Sequence, residues 1–305
     1  MPATRTASSS PPAPAGLTDE REAACIRGEN SRVTVPFVTT KDRVASEFSH
    51  EFVRRSTIRF MPRPRILLVH GSVVNGDATW AAQRPLADRF ELVVPNRRGF
   101  PPGPEIDRVD YDDEAVWLDA FLAPGTHLVG HSYGGVIALL AAARRPELLR
   151  SLTVVEPPAM RVARGNPAAD EAADEVERHW EQGPRDPEAF LRGFLARVGT
   201  KTPPGRFSED LLQGARLLMV ERYPWRAEIP LDELAATRFP KLAVSGGHSP
   251  GFEAVCDVLA ERLGALRAVL PGEGHAVQRL GEPFNALLAA FVERAEARAG
   301  SSALA

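Results

Sequence analysis

Residues 127–135 read HLVGHSYGG, and the apolar run VIALLAAA follows directly at residues 136–143. Ser132 therefore stands between two spaced glycines, at the point where a strand-like run becomes a helix-like one. This arrangement fits the G-x-S-x-G pattern, in which a sharp turn exposes a nucleophilic serine. The glycines leave room for a turn in which a Cβ would clash. An ordinary tight turn uses the same residue types, so the rest of the chain has to distinguish the two.

Short apolar runs alternate with helix-like segments along most of the chain. Alternation of this kind predicts an α/β fold with a mostly parallel central sheet and helices on both faces. The carboxyl ends of parallel strands meet at one edge, where ligands usually bind. The predicted strands are 66–70, 91–95, 127–130, 152–156, 242–246 and 266–271, and the predicted helices are 79–90, 112–123, 133–149, 251–265 and 282–299. Asp112 or Asp113 is expected to cap its helix, and Gly300 to lie just beyond the last one.

One segment, residues 157–239, contains no good strand pattern and interrupts the alternation. Its helical pieces, at residues 166–183, 186–198 and 208–223, predict a helical lid above the active edge. Several large side chains in it are candidates to line a substrate pocket, although packing onto the core is the more common fate of each. They are Trp180, Phe190, Phe194, Leu217, Met219, Tyr223 and Trp225.

The first 60 residues differ in composition from the remainder. Residues 1–30 are rich in Pro, Ala, Ser and charge, which is typical of disorder, and two strand-like runs follow at 31–38 and 56–60. We expect residues 1–60 to be a disordered or weakly structured extension, with Met61 as the functional start. The α/β core is then predicted over 61–156 and 240–300. A large loss of stability or activity on deleting residues 1–60 would contradict this prediction.

Composition narrows the possible classes of protein. The 305 residues are 44% hydrophobic and 25% charged with a net charge of −3, and the basic residues are scattered, so nucleic acid is not an expected partner. Only Cys25 and Cys256 are present, too few for a disulfide scaffold or a cysteine-rich metal site. No run approaches about 18 apolar residues and no secretory signal is evident, so we expect a cytoplasmic protein without a membrane partner. The sequence leaves its oligomeric state open.

A serine hydroxyl needs a base to become a good nucleophile, and His275 is the best placed of the seven histidines. It lies in PGEGHAV (271–277), a loop directly after the last predicted strand and therefore at the active edge. His70 ends the first strand and is expected to bond loop backbone, while His131 is expected to pack.

The loop VHGSVVNG (69–76) follows the first strand and reaches the same edge. A backbone N–H from this loop and that of Tyr133 would form an oxyanion hole, with Ser72 the first choice in the loop and Val73 the second. Asn75 and Trp80 are expected to narrow the substrate pocket. Arg97 and Arg98 either bind an anionic group or, more simply, brace loops.

Five motifs in this order resemble the α/β-hydrolase family: HGSVVNG (70–76), RRGF (97–100), GHSYGG (130–135), VVEPP (154–158) and GEGH (272–275). The resemblance covers roughly residues 61–300. It implies a triad in the chain order Ser, acid, His, with Ser132 as nucleophile and His275 as base. A serine at this position argues against the family members that carry Asp there, the epoxide hydrolases and haloalkane dehalogenases.

The acid departs from the commonest family pattern. Many members carry Asp after the next-to-last strand, but here that loop reads SGGHSPG (245–251) and has Ser249 at the expected place. A hydroxyl cannot stabilise an imidazolium as a carboxylate does. Glu156 ends the fourth strand on the active edge, as the acid does in some family members, and is the first choice. Glu253 is the alternative.

These features predict a serine hydrolase that cleaves a carboxylic ester, thioester or lactone of a small-molecule substrate. The fold and triad also support C–C bond hydrolysis or cofactor-free haloperoxidase and perhydrolase chemistry. A hydrolase fold that has lost turnover and only binds a ligand is the alternative of another class. We expect no cofactor and no metal, because neither metal-ligand spacing nor a phosphate-binding loop is evident.

Overall fold

A computed structural model describes residues 63–302. The prediction for residues 1–60, and with it the role of Met61, lies outside this range. Six parallel strands form one sheet in the order β2-β1-β3-β4-β5-β6. The predicted parallel sheet and its six strands are confirmed. Their bounds are β1 Arg65–Val69, β2 Glu91–Val93, β3 Thr126–His131, β4 Leu149–Val155, β5 Lys241–Ser245 and β6 Leu266–Val269.

The α-helices of residues 63–302 connect and cover these strands. In chain order they are α1 Gly76–Thr79, α2 Tyr111–Trp117, α3 Tyr133–Arg144, α4 Pro167–Gln182, α5 Pro187–Arg197, α6 Glu209–Met219, α7 Leu231–Ala236, α8 Pro250–Leu263 and α9 Glu282–Ser302. No helix in this part of the chain is both long and apolar enough to cross a membrane.

The central strands are apolar because both faces of the sheet are covered. On one face, side chains of α2, α3 and α8 form a large buried cluster with residues of the segment between β4 and β5. On the other face, α9 packs with Trp80 and Leu86 against Ile66, Leu68 and Val129 of the strands. Every residue of β3 is buried, as a strand at the centre of two layers requires.

The pairing register brings the ends of neighbouring strands to one level. His131 at the end of β3 lies opposite Val155 at the end of β4, and Val155 lies opposite Val244 of β5. The residues that follow these strands, among them Ser132 and Glu156, therefore emerge beside each other at the carboxyl edge of the sheet.

The structure differs from the sequence predictions in three local details. Residues 81–88 form a 3₁₀ helix rather than an α-helix, and Pro85 inside it cannot donate a backbone hydrogen bond. The cap of α2 is Asp110, which lies before the expected Asp112 or Asp113, because its carboxylate accepts from the backbone N–H of Asp112. Gly300 lies inside α9, which continues to Ser302.

Residues 157–239 contain the four α-helices α4 to α7 and none of the six strands of the sheet. Glu221 in this segment forms an isolated β-bridge with Val109. Each of the three longer helices begins at a side-chain cap: Asn166 for α4, Asp186 for α5 and Ser208 for α6. Each cap satisfies a backbone N–H that has no acceptor within its helix. We call this segment the helical insertion.

Candidate active site

Ser132 lies in the sharp turn between β3 and α3. Its backbone has φ 54° and ψ −126°, and its N–H donates to the Val155 carbonyl of the adjacent strand at 2.9 Å. A Cβ on Gly130 would lie 2.3 Å from the Gly134 carbonyl oxygen, and one on Gly134 would lie 2.4 Å from the His70 carbonyl oxygen. Both glycines are therefore required by backbone contacts, as the sequence pattern predicts.

The structure brings Ser132, His275 and Glu156 into one chain of hydrogen bonds. Ser132 Oγ lies 2.8 Å from His275 Nε2, and His275 Nδ1 lies 2.8 Å from Glu156 Oε2. All three side chains are buried, so the pairs interact in a medium that screens charge weakly. A serine, a histidine and a carboxylate in this hydrogen-bonded order can activate the serine hydroxyl as a nucleophile.

The Glu156 carboxylate is held as an anion although it is fully buried. Burial by itself would raise its pKa. Contacts from His248 and His275 and the Gly246 N–H, which donates to Glu156 Oε1 at 2.6 Å, outweigh burial and lower the pKa of Glu156 to about 2. Glu156 is consequently charged at neutral pH, as the partner of an imidazolium should be.

Glu253, the alternative acid, has other partners. Its Oε2 accepts from Ser245 Oγ at 2.8 Å and from the Arg267 guanidinium, and its Oε1 accepts from the Gly247 N–H. It makes no hydrogen bond to His275. The structure therefore places Glu156, rather than Glu253, behind the histidine.

Non-glycine residues with positive φ are confined to this site within residues 63–302. They are Val73, Ser132 and Glu156, which follow β1, β3 and β4 respectively. Such conformations cost on the order of 1–3 kcal/mol each and persist where the surrounding structure fixes them. All three lie at the same edge of the sheet, directly after or close after its strands.

The residues predicted to supply the oxyanion donors lie next to Ser132 in the chain or share a cavity wall with it. Tyr133 is the first residue of α3, so its backbone N–H has no acceptor within the helix. Ser72 lines both cavities that meet at Ser132, whereas Val73 lines one of them. The Val73 carbonyl lies against Gly214 of α6, which ties the loop to the helical insertion.

A buried ionic network lies behind residues 69–76, the candidate oxyanion loop. Arg97 donates to Glu114 Oε2 at 2.8 Å, to the Gly71 carbonyl at 2.9 Å and to Glu221 Oε1 at 3.3 Å. Glu221 Oε2 in turn accepts from Ser72 Oγ at 2.6 Å. Arg97 is completely buried, so it braces loops and is not free to bind an anionic substrate. Arg98 is exposed.

The carboxylates of Glu114 and Glu221 share the single Arg97 guanidinium, so two ionised carboxylates would give this buried network an excess negative charge. Burial is the largest influence on Glu221, and it raises the pKa of that carboxyl to about 7 against the attraction of Arg97. The group that holds Ser72 therefore changes charge near neutral pH.

His70 and His131 have structural positions. His70 Nδ1 bonds the Gly71 carbonyl at 2.8 Å, and its Nε2 accepts from the Arg97 N–H at 2.9 Å. His131 Nε2 donates to the carbonyl of His275 at 2.9 Å, and burial lowers the pKa of His131 to about 3. A neutral His131 thus supports the loop that carries His275.

Two cavities meet at the candidate nucleophile, and both are lined by Ser72, Ser132, Phe194, Val198 and His275. One cavity is mainly aromatic and apolar, with Met160, Trp180, Trp225 and Phe252 in its wall and Glu221 at the network described above. The other carries Lys201 and Arg279 and is otherwise mainly apolar. The helical insertion supplies much of both walls.

Two predicted pocket residues lie elsewhere. Asn75 caps α1 by accepting from the Ala78 N–H, and its amide donates to the Pro101 carbonyl. Trp80 is buried against Phe284 and His131 on the other side of the sheet. Neither residue lines the two cavities, because in each case the loop directs the side chain toward backbone or core.

The candidate lid side chains divide between cavity and core. Trp180, Phe194 and Trp225 reach the apolar cavity, while Phe190 and Leu217 are buried in the cluster beneath. Phe252 of α8 was missed by the sequence analysis, although its ring lies 4.7 Å from that of His275. Its only signal is its position in the first turn of the helix that follows β5. Within residues 63–302, no group of His, Cys, Asp or Glu is placed to hold a metal ion.

A family model described as the alpha/beta hydrolase family matches residues 66–289, and the chain belongs to that family. It is 36% identical over 105 residues to the pimeloyl-(acyl-carrier protein) methyl ester esterase of Aeromonas hydrophila, covering 33% of this chain and 40% of the relative. It is 35% identical over 99 residues to the 2-hydroxymuconate semialdehyde hydrolase of a Pseudomonas species, covering 30% of this chain and 35% of the relative. The matches thus span 40% or less of the length of these two relatives.

The haloalkane dehalogenase DbeA of Bradyrhizobium elkani is similar in three dimensions. It aligns with a TM-score of 0.55 and 26% identity, over 77% of this chain and 92% of the other. This likeness supports the shared fold. The choice of Ser132 as candidate nucleophile rests instead on this chain's own sequence and geometry.

Proposed function

We propose that this protein is a serine hydrolase that cleaves a carboxylic ester, thioester or lactone through an acyl-enzyme intermediate. The observation that carries the proposal is the continuous hydrogen-bonded chain from Ser132 through His275 to Glu156. Membership of the alpha/beta hydrolase family and the likeness to a methyl ester esterase support it.

In the proposed first step, Ser132 Oγ attacks the substrate carbonyl while His275 Nε2 takes its proton. The negative charge that develops on the carbonyl oxygen is stabilised by the backbone N–H groups of Tyr133 and Ser72, or of Val73 in place of Ser72. Glu156 stabilises the imidazolium that His275 becomes. His275 then gives the proton to the departing oxygen or sulfur, and the acyl group remains on Ser132.

In the second step, His275 takes a proton from water, and the hydroxide attacks the acyl carbon. Collapse of the second tetrahedral intermediate returns the proton to Ser132 Oγ and releases the acid. The two cavities that meet at Ser132 offer separate places for the acyl group and the leaving group. We infer that the helical insertion acts as the lid over them.

C–C bond hydrolysis is a second candidate, favoured by the similarity to 2-hydroxymuconate semialdehyde hydrolase. The same nucleophile, base and oxyanion donors would serve it. A small-molecule substrate and a cytoplasmic location are part of the proposal.

A panel of p-nitrophenyl esters of increasing acyl length tests the proposal, with Ser132→Ala as the control. We expect turnover that depends on acyl length and is lost in the control. Absence of ester turnover together with cleavage of 2-hydroxymuconate semialdehyde would favour the C–C hydrolase. Ligand binding without any turnover would favour a binding module.

A further inference from the structure

The loop after β5 lacks the carboxylate expected there, and it places a histidine against the candidate triad acid instead. His248 Nδ1 lies 3.4 Å from Glu156 Oε1, and its Nε2 lies 3.1 Å from the Val198 carbonyl at the end of α5. The side chain is largely buried, with 18% of its surface exposed. Glu156 therefore lies between two imidazoles, one on each oxygen.

His248 also forms the contact between the helical insertion and the triad. A Cβ on Gly199 would lie 2.5 Å from His248 Cδ2, and one on Gly274 would lie 2.3 Å from the Gly199 carbonyl oxygen. The turn after α5 thus packs directly on His248 and on the residue that precedes His275. A path of contacts runs from the insertion through His248 and Glu156 to His275.

The hydrogen bond to Val198 determines what His248 does in each charge state. Because Nε2 must carry a hydrogen to donate to the Val198 carbonyl, the neutral ring directs the lone pair of Nδ1 toward Glu156 Oε1. Only the protonated ring can donate to that oxygen. The carboxylate of Glu156 is the main reason that the pKa of His248 is raised, with partial burial opposing it.

The surroundings of His248 contain few other charges. Glu253 adds a smaller attraction from α8, the Phe252 ring packs 5.9 Å away, and the His275 ring lies at 6.3 Å. Val198 and Gly199 contribute backbone only. A change in the charge of His248 therefore acts mainly on Glu156, and through Glu156 on His275.

We propose that His248 is a positioning residue for Glu156, and that its protonation reduces the negative charge available to stabilise the imidazolium of His275. This inference rests on the proposed function, in which His275 is the base. With His248 neutral, Glu156 supports His275 with its full charge. With His248 protonated, Glu156 is held more firmly but is shared between two cations, and catalysis slows.

Two substitutions separate the two nitrogen atoms of the ring. His248→Gln keeps an amide near the position of Nε2, facing Val198. His248→Asn keeps one near Nδ1, facing Glu156. Neither can become a cation, so both should remove the effect of protonation while preserving different hydrogen bonds.

The test is kcat/KM against pH for a neutral p-nitrophenyl ester, using the full chain. We expect the wild type to lose activity in two stages as pH falls: a partial decrease of about tenfold, equal to one pKa unit of lost interaction, and then complete loss. Both variants should show one stage only. A single stage in the wild type, or two stages in both variants, would overturn the proposal.

Imidazole NMR of the full chain supplies a readout that needs no turnover. The His248 resonance, assigned by its absence in His248→Gln, should titrate with a raised pKa, and that pKa should fall in Glu156→Gln. An unchanged midpoint in Glu156→Gln would also overturn the proposal, even if the pH profile agreed. Loss of ester turnover in Ser132→Ala is measured separately, so failure of the hydrolase assignment is distinguishable from failure of this one.

Discussion

Glu156 Oε2 and His275 Nδ1 lie 2.8 Å apart, although 119 positions separate the two residues in the chain. The contact exists because β4 ends beside β3 at the carboxyl edge of the sheet, and because the backbone of Glu156 adopts a positive φ of 46°. A strained glutamate at the end of β4 thus supplies the carboxylate that the loop after β5 lacks.

Replacing Glu156 by Gln should lower kcat by about 10³- to 10⁴-fold with little change in KM. The amide has nearly the same shape, but it cannot stabilise the imidazolium and disturbs the tautomer of His275. Steady-state kinetics on a p-nitrophenyl ester measures the effect. The matched control is Glu253→Gln, which should stay within a few-fold of the wild type. Equal losses in the two variants would show that the carboxylates support structure rather than catalysis.

The ionic network behind Ser72 should make stability depend on pH. Because the pKa of Glu221 is raised to about 7, the folded state keeps its proton at pH values where the unfolded state, near 4.5, has released it. Stability contributed by this group is therefore complete below about pH 4.5 and is lost as pH rises toward 7, by up to about 3 kcal/mol.

Urea unfolding of wild type and Glu221→Gln at several pH values measures this effect. The difference in free energy of unfolding between the two proteins should move in favour of the variant between pH 5 and 7.5. A difference that stays constant over this range would mean that Glu221 remains charged in the folded protein.

Gly214→Ala should reduce activity although alanine favours helices. A Cβ at this position of α6 would lie 1.8 Å from the Val73 carbonyl oxygen, so the oxyanion loop or the helix must move. Displacement of the loop by about 1 Å should cost roughly 100-fold in kcat.

Gly300→Ala is the matched control, since Gly300 lies in α9 with no neighbouring atom within 4 Å of a new Cβ. It should leave kcat unchanged and stabilise the protein by about 0.5–1 kcal/mol. Unaltered kcat in Gly214→Ala would show that the loop tolerates the shift, and that its position is not critical.

Local patterning was sufficient to predict the strands, the sharp turn at Ser132 and the edge of the sheet at which the candidate site lies. Buried parallel strands are continuous apolar runs, and the glycines around Ser132 are demanded by contacts within the motif and with β1. The prediction of His275 followed from its place after the last strand. These features depend on sequence neighbours and on the topology of parallel sheets.

The positions of side chains that are held by residues distant in the sequence could not be predicted. Glu221 bonds Ser72 across 149 positions, and nothing near VERY (220–223) in the sequence signals a buried acid. Asn75 and Trp80 are predicted to narrow the pocket because they lie in or after the candidate oxyanion loop, but Asn75 caps α1 and Trp80 packs against Phe284 of α9. In the loop SGGHSPG (245–251), the sequence shows only that the expected Asp is absent. The contact of His248 with Glu156 is visible only in the three-dimensional structure.

The role of Ser132 as nucleophile is tested most directly by covalent labelling of the folded full chain with a fluorophosphonate, followed by peptide mass spectrometry. We expect one adduct, on Ser132, that appears at a rate sharply reduced in His275→Ala and is absent in Ser132→Ala. Failure to label folded wild-type protein, or an adduct on another serine that persists in Ser132→Ala, would contradict it.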